Sequence, residues 1–214
     1  MRNVDLSFKN LDKYLRLTLY LTKYNGFFNL GLLKSKAPEI TKHVHGVFVE
    51  IKGKGVLIIG KSGIGKSEVA LNLIDRGNKL IADDSVTFYK QDKNTLIGQA
   101  PSLLANVMEV RSLGILDIKK LFGDRSVIKK EKLFLVIELK SFQKKNVYPR
   151  LIMNINTYKL FDITVPKIEL PVNQTRHISL LIETAVKNYI LLNKGSNTTE
   201  IFSQKLDLQL SLDH

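Results

Sequence analysis

Two kinds of hydrophobic spacing alternate along this chain. Short, nearly unbroken apolar runs come first: VFVEI at 47–51 and GVLIIG at 55–60, separated by a Lys-Gly stretch that predicts a hairpin. After Gly65 the apolar positions fall three and four apart. Val69, Ala70, Leu73 and Ile74 share one helical face, and Gly77 stands where the helix would stop. KLIA then predicts a short strand that ends at Asp83. Gly55–Asp84 thus reads as strand, loop, helix, strand in about thirty residues, the size of a βαβ unit. Strand C-termini and the helix N-terminus face one crevice in such units, so the loop after Gly60 and the pair Asp83–Asp84 are expected side by side.

Farther along, residues 95–123 predict a helix mixed with loops, and LFLVIEL at 133–139 a strand. VPKIELPV at 165–172 carries Pro near both ends, which favours an edge strand. Ile178, Leu181, Ile182, Ala185, Val186, Tyr189 and Ile190 recur at helical spacing and predict a long amphipathic helix ending before Gly195. Residues 1–42 predict one or two helices and a loop at KAPEI, and residues 196–214 a poorly structured tail. The expectation is an α/β phosphate-loop domain at 43–195 with a short N-terminal extension and a C-terminal tail.

Composition narrows the chemistry more than the fold. At 214 residues, 44% hydrophobic and 25% charged, the chain can bury a full core as one domain plus a small appendage. The absence of cysteine excludes disulfides, thiolate catalysis and cysteine-built zinc sites, and fits a cytoplasmic setting. No window approaches the length of a membrane span. The first 28 residues carry scattered charges without a small-residue cleavage site, so they read as mature protein. The net charge of +13 comes mostly from dispersed lysines. That pattern fits a solvated basic surface, or an acidic protein partner, better than nucleic acid, whose readers cluster their basic residues.

The chemistry concentrates in GKSGIGKS, which satisfies G-x-x-x-x-G-K-[ST] over Gly60, Lys61, Ser62, Gly63, Ile64, Gly65, Lys66 and Ser67. Its glycines let backbone N–H groups turn inward on phosphate oxygens, Lys66 offers charge to the terminal phosphates, and Ser67 offers a hydroxyl to Mg²⁺. Asp83 and Asp84 can serve a metal and an acceptor, or simply form an acidic turn. On an extended chain the two would point to opposite sides. His43 and His45 lie two apart, as a weak metal pair or as structural histidines; Glu109 and Arg111 flank a glycine-containing turn, as a site loop or a surface ion pair. Arg176 opposes the dipole at the start of the long helix, a position that would favour a bound anion.

Taken together, HGVFVEIKGKGVLIIGKSGIGKSEVALNLIDRGNKLIADD, the segment LIGQAPSLLANVMEVRSLGILDIKKLFG and VPKIELPV resemble the catalytic domain of the bacterial HPr kinase/phosphorylase family, a phosphate-loop fold related to phosphoenolpyruvate carboxykinase. The resemblance covers about residues 43–195 in the family's order. It implies an enzyme that phosphorylates a serine of HPr, a carrier of the sugar phosphotransferase system, with ATP or pyrophosphate and Mg²⁺. It also implies the reverse attack of phosphate on phosphoseryl-HPr, and a homohexamer without membrane or nucleic-acid partners. Carried over, Asp84 is the proton acceptor and donor, Asp83 and Ser67 serve the metal, and Glu109 is a second metal contact within 108–117. His45, Lys66 and Arg150 are further catalytic positions. Pro171, Val172, Asn173, Gln174, Thr175 and Arg176 form the segment tied to dephosphorylation. Alternatives from other classes are a nucleotide-binding regulatory module without turnover and a nucleic-acid-linked ATPase.

The chain departs from that family at several positions. Only about forty residues precede the catalytic part, fewer than the family's separate N-terminal domain. Ser112 stands where a glycine is usual, NQTRH replaces PGRN, and YPRLI replaces YDRLG. These changes fall in segments linked to the reverse reaction, so the kinase direction is the firmer expectation.

Overall fold

The computed structural model describes residues 40–142, 153–173 and 177–212. Its frame is a mixed sheet in which β9 (Lys130–Ser141), the longest strand, is the hub. β3 (Lys54–Gly60) lies parallel to β9, and its partner strand β2 (Val47–Ile51) closes the hairpin read from the sequence. β4 (Lys79–Ala82) is antiparallel to β2, so the two strands of the expected βαβ unit are parallel but separated by β2. On the other side of β9 come β6 (Leu96–Gln99), β5 (Ser85–Lys90) and β1 (Thr41–His45).

The unbroken apolar runs have a simple cause: the sheet is buried on both faces. Val47, Val49 and Ile51 of β2, Val56 and Ile58 of β3, and Leu135, Ile137 and Leu139 of β9 face one core. That core also receives Ala70, Leu73 and Ile74 of α1 (Lys66–Asp75) and Ile178, Ile182 and Val186 of α3 (Ile178–Asn193). Phe48, Leu57 and Val136, the intervening residues, face a second core with Val86, Phe88 and Leu96. Each fully buried side chain of this kind contributes about 1.5–3 kcal/mol, so slipping a strand by one residue would invert both cores at large cost. The register that places the site is therefore strongly fixed.

Three local expectations change. Residues 95–123 hold three short strands: besides β6 they form the hairpin β7 (Val107–Val110) and β8 (Gly114–Asp117), followed by the one-turn helix α2 (Ile118–Phe122). Their apolar residues alternate too briefly to reveal strands. β11 (Ile163–Val172) is not a simple edge. Its first half pairs with β10 (Ile155–Leu160) and its second half with β9, so each proline lies in a stretch with one neighbour. Finally, residues 198–212 form α4 (Thr198–Leu212) and not an irregular tail. The long amphipathic helix appears as α3, as its spacing predicted. No helix among the described residues is long and apolar enough to cross a membrane. The helices expected within residues 1–39 lie outside the described residues.

Candidate active site

The phosphate loop begins where β3 ends. Gly60 must be glycine, because a Cβ there would lie 2.8 Å from the Leu139 carbonyl of the neighbouring strand. Ile64 N donates to the Lys61 carbonyl at 3.2 Å, and the Ile64 side chain packs on the helix-side core. The loop is thus pinned by its one apolar residue while Ser62, Gly63 and Gly65 line the pocket. Lys66, only 8% exposed, folds back so that Nζ donates to the carbonyls of Gly60 at 3.2 Å and Lys61 at 3.4 Å. The N–H groups of the first turn of α1 have no carbonyl of their own helix to meet, and the helix dipole puts partial positive charge there. A loop and helix end of this kind favour an anion.

The two carboxylates arrive by a different route. β1 and β2 together run antiparallel to β5 and β4, and the ladder breaks where Gly46 faces Asp83 and Asp84. Gly46 N donates to the Asp84 carbonyl at 3.2 Å, and a Cβ on Gly46 would come within 2.7 Å of the Ile58 carbonyl. Asp84 adopts φ +62, so the chain turns there. Both carboxylates consequently line one pocket, in contrast to the opposite-facing pair that an extended chain would give.

Their surroundings differ. Asp83 is 4% exposed and accepts from Ser67 Oγ at 3.1 and 3.3 Å and from Glu109 N at 3.1 Å. Burial pushes its carboxyl up to about 6, against the opposing pull of these hydrogen bonds. Asp84 is half exposed, and its Oδ1 and its carbonyl both lie 3.0 Å from His45 Nδ1. Two acceptors on Nδ1 place the proton on that nitrogen and hold the ring against Asp84. His43, by contrast, bonds Thr87 Oγ1 on the neighbouring strand, a structural use.

The far wall comes from the β7–β8 hairpin. Glu109 and Arg111 both line the pocket, so the turn that carries them stands beside the phosphate loop. Arg111 lies over Gly63 of the phosphate loop. It was legible in the sequence only as a neighbour of Glu109. Glu68 of α1 also lines the pocket, a residue that the loop motif does not single out.

The donor set fits Mg²⁺. A serine hydroxyl and a buried carboxylate, already in contact, are hard oxygen donors, and Mg²⁺ uses few protein ligands beside phosphate and water oxygens. No cluster of three or more His, Cys, Asp or Glu that could cage a metal occurs among the described residues. Pro171 and Val172 close β11 at the same sheet edge as Gly60, since both strands are parallel to β9, and Asn173 follows. Gln174, Thr175, Arg176 and Arg150 lie outside the described residues.

Known proteins resemble this chain over most of its length. The family model described as HPr Serine kinase C-terminal domain matches residues 37–206. HPr kinase/phosphorylase 1 of Oceanobacillus iheyensis is 43% identical over 178 residues, which are 83% of this chain and 57% of that protein. The HPr kinase/phosphorylase of Levilactobacillus brevis is 44% identical over 176 residues, 82% of this chain and 56% of its own length. The chain therefore spans less than two thirds of these relatives. A solved structure, the Hpr(Ser) kinase/phosphatase from Coxiella burnetii, superposes with a TM-score of 0.68 at 38% identity, covering 75% of this chain and 98% of that one. With the family model matched over most of its length, the chain belongs to the HPr Serine kinase C-terminal domain family.

Proposed function

We propose that this protein transfers a phosphoryl group from ATP or pyrophosphate to a serine of HPr, and that it also catalyses the reverse attack of inorganic phosphate on phosphoseryl-HPr to give pyrophosphate. One observation carries this reading. Against a single phosphate loop stand two adjacent carboxylates, Asp83 buried on Ser67 and Asp84 open to solvent on His45.

Phosphoryl transfer needs positioning and charge neutralisation more than covalent chemistry. The loop amides and Lys66 hold the donor's phosphates. Asp84 takes the proton of the attacking serine hydroxyl, and in reverse returns it to the serine oxygen as that oxygen leaves phosphorus. The His45 Nδ1–H bond fixes the Asp84 carboxylate in place for both directions. Bound Mg²⁺, held by Ser67 and Asp83 with Glu109 as a second contact, would neutralise charge on the donor's phosphate oxygens. By the same family reasoning Arg150 adds positive charge, residues 171–176 serve the reverse reaction, and the protein assembles as a homohexamer. A surface of net charge +13 would steer an acidic carrier protein toward the pocket.

The test is to incubate the protein with ATP, Mg²⁺ and HPr and to look for phosphoserine by mass spectrometry. Added phosphate should then release pyrophosphate. Intact ATP binding without phosphoserine would overturn the kinase in favour of a nucleotide-binding module without turnover.

A further inference from the structure

Arg111 has no part in the scheme above, yet its geometry is specific. It opens the turn between β7 and β8, which is closed by Leu113 N donating to the Val110 carbonyl at 3.0 Å. The hairpin is tied down next to it by the bond from Glu109 N to Asp83, so the turn is a fixed arm over the pocket. Four carboxylates, Glu68, Asp83, Asp84 and Glu109, line that pocket, and among the described residues Arg111 pairs with none of them. Its guanidinium lies instead on the phosphate loop. A Cβ placed on Gly63 would stand 3.2 and 3.4 Å from the two terminal nitrogens and 3.6 Å from the carbon between them. The terminal nitrogens lie nearer than the carbon between them, so the group turns its nitrogen edge obliquely toward Gly63. Lys66 meets the loop from the buried side, on the carbonyls of Gly60 and Lys61, so the two cations approach from different directions.

A guanidinium with no carboxylate partner among the described residues, beside a loop shaped for phosphate, is suited to two parallel bonds to a phosphoryl oxygen pair. We infer that Arg111 is a second phosphate clamp: it binds the terminal phosphoryl group of the donor opposite Lys66, and Gly63 is bare of a side chain to give it room. The inference takes from the proposed function only the class of the anion, a di- or triphosphate.

Pyrophosphate with Mg²⁺ is the probe, titrated calorimetrically into the full chain without HPr. Arg111→Gln should weaken binding by about 10–100-fold, the range for a hydrogen bond to a charged group, and Arg111→Lys should recover part of the loss. Gly63→Ala should weaken binding as well. Gly63 also has φ +79, so alanine strains the loop as well, and in the double variant the combined loss should fall short of the sum by the share that runs through Arg111. Circular dichroism on each variant checks that the fold is retained, and Arg111→Lys preserves the test if Arg111→Gln unfolds. Binding by Arg111→Gln within twofold of wild type would overturn the inference, as would additive losses or a wild-type chain that binds no pyrophosphate. Because HPr is absent, a chain that binds pyrophosphate through Arg111 but makes no phosphoserine would defeat the proposed function alone.

Discussion

The inner and outer walls of the pocket hold similar charges in opposite environments. On the inner wall Lys66 is 8% exposed and Asp83 4%, and both are bonded within the protein. On the outer wall the side chains of His45 and Asp84 are 56% and 50% exposed. Adjacent carboxylates thus meet nearly dry protein on one side and solvent on the other. A buried, prebonded carboxylate is suited to a cation and a small anion that come and go with the nucleotide. An open one can be reached by the side chain of another protein. The division predicts that the two aspartates fail in different ways when changed.

The largest effect is expected on the outer wall. Asp84→Asn keeps the shape and removes the proposed base, so phosphoserine formation should fall by about 10²–10⁴-fold while ATP affinity changes little. A phosphorylation time course paired with calorimetry of ATP binding checks this. A variant that transfers at the wild-type rate would show that the exposed wall is not where the proton goes.

The inner wall should respond with stability first. Asp83 is held near 6 in the folded chain, above the ordinary 3.8, so between those values the folded state binds more protons than the unfolded one. Ligand-free stability therefore falls as pH rises through roughly 4 to 6, by up to ~3 kcal/mol at 1.4 kcal/mol per unit. Asp83→Asn can still accept from Ser67 and Glu109 N through its amide oxygen. It should be more stable than wild type at pH 7.5 and equal to it near pH 3.5, while losing affinity for Mg²⁺-ATP. Denaturant melts of both proteins at the two pH values decide it. A difference that grows toward low pH would reverse the sign and refute the account.

How much of this could be read beforehand differs between the two walls. The loop, its helix and the carboxylate pair were legible because glycine spacing, a helical face and a short strand all lie within one contiguous stretch. The nearness of His45 to Asp84 was not legible from residues alone. It depends on β1 pairing with β5, which brings together His45 and Asp84, 39 positions apart in sequence. The β7–β8 hairpin was missed for a related reason. Each strand has only four residues, and Met108 and Val110 face the core while Glu109 faces out, an alternation too short to outweigh a loop reading. Likewise the sequence pattern could not show that Asp84 takes a positive φ, which turns both carboxylates into one cavity.

The frame behind the inner wall should matter less than either aspartate. The far end of α1 is fastened by Arg76, whose Nε and Nη2 donate to Glu183 of α3 at 3.1 and 2.8 Å, while Asn78 donates to the other oxygen at 2.8 Å. Burial works against the Glu183 charge, but these bonds outweigh it and hold its carboxyl below the usual 4.5. Their contribution is present at neutral pH and is lost as pH falls through that lowered value. Arg76→Ala should cost about 1.5–3 kcal/mol at pH 7.5 and less at pH 3, read from urea midpoints, with ATP affinity nearly unchanged. A large fall in affinity at full foldedness would mean that the anchor sets the loop's geometry directly.

The smallest effect is expected at Ser112, in the β7–β8 turn next to Arg111. Its φ of +67 lies in the left-handed region, where a side chain is disfavoured by roughly 1–2 kcal/mol. Glycine removes that strain but brings a more disordered unfolded chain, worth about 0.5–1 kcal/mol in the other direction. Ser112→Gly should therefore stabilise by at most about 1.5 kcal/mol, visible as a rise of a few degrees in the melting midpoint. The more telling readout is pyrophosphate affinity, because Ser112 follows Arg111 in the same turn. Unchanged affinity with a higher midpoint would mean that the strain is incidental to the clamp. Higher stability with weaker pyrophosphate binding would mean that the disfavoured backbone holds Arg111 over Gly63, and that the pocket is rigid at the β7–β8 turn, where it meets phosphate, and open at His45 and Asp84, where it would meet the acceptor.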